Sequence, residues 1–576
     1  MSLVHSESRG FAALITLTAN VALVGYLGLV LIDWGWFGAG RLGTRPVPAG
    51  PVAVAMSRSP RSSALVPQPT ARGQALLADW AGTPLHDWET SSKVTAPRIL
   101  LAKLALGEDV DLVNRNLLEA YVPRASGSTW LLQKGDYDFT EITLTGLLYL
   151  YGEQPDRLHP EVRDHIVDRL LIEKGSTPRI AVPKTLGLVT DTENHHLMTE
   201  VTRYLRNQWL FDHGHAEAQY DNAANGLEAW LLGYLQEMVR EGVYEFNSIP
   251  YLGFTIQALL TIEAFARSDD LSMTARYLLD TMNLQYALGS LDLRRCAPFR
   301  RRVERAGWTR LDQDPHTDAM RVWVSEPYVE GQALPAAEGH NRFGLVAELL
   351  PYRLAPDVRA WVLAKPHEYF VRFGRGSAAS PEIYSGGPGY LLSAGGVNRG
   401  IRSMIAARPT SLMLSDGAID LRECFHIMGR GLYTRWNNTG VYRRFACGNG
   451  PVAIPKQYTP EAEDDVWKVF SPGAVPRLRV ATFSDEAFGL IALFPESSES
   501  PQELLDRIAK ANPSPSAVKT RFVWPDGSTV TYNVNVPRGR WVIASVDGRP
   551  QPRDYDKWPQ FDGDPLGIDF DRAGVR

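Results

Sequence analysis

Between about residues 73 and 375, apolar residues recur at intervals of three and four. Leu227, Trp230, Leu231, Tyr234, Leu235 and Met238 are the clearest case, and this spacing places one apolar stripe on one face of a helix. The same period predicts helices over 98–106, 139–152, 161–172, 199–210, 252–267 and 272–288, separated by short Gly, Pro or Asp breaks. Beyond about residue 376 the pattern shifts to short β-rich runs at Tyr390–Ser393, Ser403–Ala407 and Gly489–Phe494. Between Thr520 and Val536, two apolar runs flank Pro-Asp-Gly-Ser; Val530, Tyr532, Val534 and Val536 alternate there with Thr531, Asn533 and Asn535, the mark of a hairpin with one buried face. Arg540–Val546 adds a further strand. The glycine-dense stretch Tyr384–Gly396 matches no phosphate-cradling loop and is read as a turn into the first strand.

The N-terminus follows a different pattern. Phe11 to Ile32 carries no charge, and 22 helical residues span roughly 33 Å, enough to cross a bilayer core. Trp34, Trp36 and Phe37 follow, where an interfacial aromatic belt belongs. The preferred reading is an uncleaved anchor; a cleaved export signal and a buried core helix are the other two. Residues 38–72 are rich in Gly, Pro, Ala, Ser and Arg without apolar period, as in an exposed tether. The expected organisation is therefore an anchor helix at 1–37, a tether at 38–72, a helical domain at 73–375 and an antiparallel β-sheet domain at 376–576. The expected class is multidomain α+β, preceded by one transmembrane helix. So many successive helices suit either a bundle or helix pairs curved into a toroid.

Composition narrows the function. With 44% hydrophobic and 22% charged residues in 576, a mainly disordered or multi-span membrane protein is excluded. A net charge of -5 gives no general basic footprint, so nucleic acid is not expected as a partner. Cys296, Cys424 and Cys447 make neither a disulfide framework nor a close zinc-ligand spacing.

Two polar clusters stand out as candidate chemistry. Asp191-Thr192-Glu193-Asn194-His195-His196 lies at the start of a predicted helix, where Asp191 or Thr192 also suits a helix cap. Arg240 to Tyr251, with Tyr244, Glu245 and Asn247 inside it, connects two predicted helices, and such loops often carry function. Arg240 also suits the C-terminal dipole of its helix, and Pro250 a helix start.

An Asn-His dipeptide on one helical turn, with Arg and Tyr some 50 residues later, resembles the (α/α)-toroid polysaccharide lyases, which include alginate lyases, chondroitin AC-type lyases and heparinase II/III-like enzymes. The resemblance covers roughly residues 80–570 and implies a helical toroid followed by a β-sandwich-like domain. Two departures are visible: Glu193 stands where alginate lyases of this class double the Asn, and Tyr251 is followed by Leu252 rather than His.

The implied reaction is β-elimination on a uronate of an acidic polysaccharide, with no cofactor and no metal. Asn194 and a donor His would neutralise the carboxylate, Tyr251 or His195 would take the C5 proton, and Tyr251 would protonate the departing O4. The catalytic tyrosine is Tyr251 or Tyr244. A free tyrosine has a pKa of about 10, so a neighbouring cation such as Arg240 would be needed to favour the phenolate. His196, Tyr244, Glu245, Asn247, Trp130, Tyr137 and His340 are expected substrate contacts, Trp130 and Tyr137 as a platform for sugar stacking. An extracellular polymer places the catalytic part on the periplasmic or extracellular side of a cell membrane held by the single N-terminal span.

Other chemistries compete. His195, His196, His213 and His215 are candidate metal ligands. Asp191, Glu193 and Glu245 are candidate paired carboxylates of a glycoside hydrolase on a similar toroid. A non-catalytic glycan-binding envelope protein is a third reading. The run Arg294, Arg295, Arg300, Arg301, Arg302 and Arg305 is either a solvated face or a track for an acidic polymer.

Overall fold

A computed structural model describes residues 70–85, 93–120, 136–176, 192–243, 246–249, 251–295, 299–300, 310–327, 342–374, 381–395, 406–407, 410–427, 440–472, 478–536, 540–559 and 561–563. The anchor and nearly all of the tether expected from the sequence lie outside these residues. Among the described residues no helix is long and apolar enough to cross a membrane. The fold is mixed, with helices first and antiparallel sheets after.

Helices occupy Ala71–Ala81 (α1), Thr95–Leu106 (α2), Val110–Leu118 (α3), Asp138–Tyr151 (α4), Pro160–His165 (α5, continued by a π-helical turn), Glu193–Asp212 (α6), Leu227–Glu241 (α7), Leu252–Phe265 (α8), Asp269–Leu288 (α9), Pro315–Trp323 (α10), Gly344–Leu349 (α11) and Pro356–Leu363 (α12). Their mutual direction can be read from side-chain pairs. His195 meets Asp138, Thr145 donates to Thr202 at 3.3 Å, and the Tyr149 hydroxyl donates to the Leu205 carbonyl at 2.8 Å, so α4 and α6 run parallel. Gln208 donates to the Phe265 carbonyl at 2.9 Å near the C-terminal ends of α6 and α8, while Phe139 packs edge-on against both His195 and Phe254 near their starts. The N-terminus of α2 joins the same end, where Thr140 donates to the Lys93 carbonyl at 2.8 Å. Thus α2, α4, α6 and α8 begin at one end of the molecule. The return helix α7 runs the other way: Tyr204 donates to Glu228 at the start of α7 at 3.1 Å, while Tyr234, halfway along it, packs against His196.

Burial separates α6 from an ordinary amphipathic helix. Every residue from Glu193 to Leu210 is buried, polar ones included, so each polar group needs an internal partner. Arg203 lies between Glu200 at 2.9 Å and Glu173 at 2.8 Å, Arg206 donates to the Val167 carbonyl, and Asn207 donates to Asn222 at 2.9 Å. By contrast α7 follows the one-stripe pattern, burying Leu227, Leu231, Leu235 and Met238.

The C-terminal part contains two large antiparallel sheets. One, of seven strands, runs in the order 452–453, 425–427, 410–414, 390–395, 382–387, 369–373 and 562–563; the other, of six, runs 440–442, 445–448, 489–495, 478–484, 467–470 and 462–463. A four-stranded sheet contains the hairpin of 521–523 with 529–532, in which Val530 and Tyr532 are buried as the alternation requires. The strand ends at Tyr532, next to a register shift at Thr531/Tyr532, so Val534 and Val536 lie beyond it. The glycine-dense stretch is itself a strand, Glu382–Gly387, turning at Gly389 (φ 77) into Tyr390–Gly395. Gly386 lies so close to the Tyr369 ring that an added Cβ would sit 2.6 Å from the hydroxyl.

Three cores result, one of them among the first helices around Trp80, Leu100, Leu104, Leu147 and Ile166; the other two involve the sheets. One packs Phe370, Leu392 and Phe425 of the seven-stranded sheet against Phe445, Trp467 and Leu490 of the six-stranded sheet. The other is shared between helices and sheet: Tyr369, Val371, Phe373, Tyr384, Leu391 and Met413 point back into the cluster built on α6 to α12.

Candidate functional site

The common starting end of α2, α4, α6 and α8 gathers the polar residues. Thr192 is the extended residue before α6, but its hydroxyl donates to Asn194 Oδ1 at 2.7 Å instead of accepting a backbone N–H. This bond holds the Asn194 side chain with its oxygen occupied. Its Nδ2 is buried without a hydrogen-bond partner, in a residue 0% exposed. An unmade donor in that position costs about 1–3 kcal/mol, so its persistence calls for an explanation.

His195, the next residue, is 7% exposed, and its Nδ1 lies 2.6 Å from Oδ2 of Asp138, which is 0% exposed. Phe139 packs edge-on against the imidazole at 5.2 Å, fixing its plane. Asp138 opens α4 and retains a second oxygen, Oδ1, with no partner. Asp136, in the left-handed region at φ 61, turns its carboxylate toward the same place, where Lys93 holds Oδ2 at 2.7 Å and Oδ1 is buried without a partner. Two helix N-termini, α4 and α6, add positive potential that favours anionic groups here.

The second sequence cluster ends near this region. Arg240 lies in the last turn of α7, exposed, with no ion pair among the described residues. Because α7 runs antiparallel to α6, its last turn is at the end where α6 begins. Tyr251 precedes α8, half-buried, its backbone N–H bonded to the Ser248 carbonyl at 3.2 Å. Between them, Asn247 adopts φ 62 and donates from Nδ2 to the Tyr384 hydroxyl at 3.1 Å; that hydroxyl donates to Glu382 at 2.8 Å. The strand Glu382–Gly387 therefore pins the loop that delivers Tyr251. His196 is buried against Tyr234.

So His195, next to Asn194, is joined to Asp138, and Arg240 and Tyr251 belong to elements that reach the same end of the molecule. Trp130, Tyr244, Glu245 and His340 lie outside the described residues, as does Asp191. Tyr137 contradicts its expected role as a sugar platform: it is 2% exposed, its ring is enclosed in protein, and burial pushes its phenol well above the ordinary range. The four-histidine metal arrangement does not form, because His213 caps the far end of α6, 18 residues or roughly 27 Å from His195, where it stacks on Trp209. The arginine run is partly structural: Arg294 donates to the Leu414 carbonyl at 2.9 Å, and Arg295 to Asp314 at 3.1 Å, both buried.

Sequence reasoning missed Asp138, Asp136 and Lys93. The available signal was the acidic pair Asp136-Tyr137-Asp138 at a helix start, a pattern that ordinary dipole complementation also produces. No family model, curated protein or solved structure matches this chain.

Proposed function

We propose that this chain is a polysaccharide lyase that cleaves a uronate-containing acidic polysaccharide by β-elimination, on a helical toroid followed by a β-sandwich-like domain. The observation that carries the reading is the buried triplet of Asp138, His195 and the unsatisfied amide of Asn194 at the shared helix starts. Elimination requires a donor for the substrate carboxylate, so that the C5 proton becomes acidic, and a base to remove that proton. Asn194 Nδ2 is a donor without a partner, and a carboxylate oxygen would satisfy it; the charge developing on the carboxylate as C5 loses its proton would strengthen that bond.

Asp138 fixes His195 with Nδ1 toward the carboxylate and stabilises its protonated form. His195 then either donates to the sugar acid or takes the C5 proton. Tyr251 serves the leaving side, giving its proton to O4 as the C4–O4 bond breaks and the C4–C5 double bond forms. Where the C5 proton lies on the tyrosine face, Tyr251 takes it first. Arg240, in the last turn of α7, supplies a cation at the same end. Since such a polymer is extracellular, we place the catalytic part outside the cytoplasmic membrane, tethered by the apolar segment 11–32.

Incubation with alginate, glycosaminoglycan and bacterial exopolysaccharide panels, followed by ultraviolet absorbance of the new double bond, tests the reading. Absorbance is expected with at least one polymer, falling at least a hundredfold in Asn194→Ala, with the pH–rate profile shifted in Arg240→Ala. A new reducing end without absorbance would identify a hydrolase, and polymer binding without product a non-catalytic protein; either outcome would overturn the lyase assignment.

A further inference from the structure

The residues that orient His195 also form a ligand set. One donor atom from each of Asp136, Asp138 and His195 lies within 4.8 Å of the others. Direct bonds account for only half of the carboxylate oxygens: His195 takes Asp138 Oδ2 and Lys93 takes Asp136 Oδ2. The remaining Oδ1 of each aspartate is buried and makes no hydrogen bond. Two orphaned carboxylate oxygens beside one imidazole are an unfavourable arrangement unless something positive sits between them. With a neutral imidazole, the two aspartates and Lys93 leave one net negative charge.

We propose that Asp136, Asp138 and His195 bind a divalent transition-metal ion, of the Mn2+ or Zn2+ class. Two hard oxygens and one imidazole nitrogen suit these ions better than Ca2+ or Mg2+, which favour all-oxygen shells. Three protein ligands leave coordination positions for water or a substrate oxygen. The left-handed turn at Asp136 and the start of α4 at Asp138 supply two carboxylates two residues apart, and α6 brings the imidazole from its parallel neighbour. Lys93, 37% exposed on its side chain, is the competing cation, able to keep Asp136 Oδ2 or to swing outward. The proposal deepens the lyase reading, because an ion on His195 would add positive charge where the sugar acid is neutralised and would leave the C5 proton to Tyr251, but its test requires no substrate.

Full-length protein is stripped with chelator, dialysed, and titrated with Mn2+ and with Zn2+ by calorimetry and thermal unfolding. One ion per chain with a rise in Tm is expected. Asp136→Asn is expected to weaken binding at least tenfold. This position is part-exposed, and circular dichroism checks its fold. Lys93→Gln leaves all three ligands and removes the competitor, so binding should be kept or tightened. Absence of heat and of any Tm change with either ion would overturn the proposal, as would equal affinity in wild type and a folded Asp136→Asn. Loss of binding in Lys93→Gln would also overturn it. Failure here with absorbance-detected cleavage intact would remove the metal alone, whereas metal binding with no cleavage of any polymer would remove the lyase reading alone.

Discussion

His316, on α10, sets a pH limit of its own. It is fully enclosed, its Nε2 lies 2.7 Å from Asn283 Oδ1, and burial, with the nearby Arg295 guanidinium, holds its pKa well below the ordinary histidine value. The native state therefore keeps the imidazole neutral while the unfolded chain protonates below about pH 6.5. Between that pH and the lower native pKa the unfolded state binds more protons, so stability is full above pH 6.5 and falls as pH drops, by up to about 1.4 kcal/mol per pH unit. Urea unfolding from pH 4.5 to 7.5 should show this slope in wild type and a flatter one in His316→Gln, whose amide can still donate to Asn283. At the same scale, Asn194 and His195 were legible as candidates for chemistry, since an amide and an imidazole at a helix start are rarely needed for packing. Asp138 was not, because an acidic residue at a helix start needs no partner to be explained, and only the neighbouring helix reveals its role.

Among the elements, the best-announced helix lies where the sequence was read as sheet. Ser500-Pro501-Gln502-Glu503 opens a helix over Pro501–Ala511: Ser500 accepts from the Glu503 N–H at 3.2 Å, and the Glu503 carboxylate accepts from the Ser500 N–H at 2.7 Å. The Ser500 backbone N–H, with the Ser500 hydroxyl, holds the Glu503 carboxyl below its usual range. Ser500→Ala should lower stability by about 1 kcal/mol, read as a shift in denaturant midpoint with unchanged slope. The helix was overlooked because β-rich runs surround it, although its cap was present in the letters. The reverse occurs in α6: its period gave a helix, but no period shows that a helix with two arginines and two glutamates inside is buried all round. That depends on Glu173 and Asn222 arriving from other segments.

At the level of the whole molecule, the helical part and the first sheet are not separable bodies, because Tyr369, Val371, Phe373, Tyr384, Leu391 and Met413 complete the core of α6 to α12. A chain ending at residue 366 would expose that face, and it should bind a hydrophobic dye and lose cooperative unfolding, whereas the full chain should do neither. A cooperatively folded, dye-silent fragment would show that the helices suffice. The sequence alone determined the run of helices before residue 290 and the change to strands beyond 376, because the apolar period of each segment is set by local backbone geometry and needs no partner; the helix over Pro501–Ala511 and the strand Glu382–Gly387 escaped it. Only the tertiary structure decided that α2, α4, α6 and α8 start together, that Asp138 meets His195 across two of them, and that Tyr384 holds the loop of Tyr251. Those pairings join residues 57 to 137 positions apart, and a local period carries no information about which distant segment will fill the space beside it.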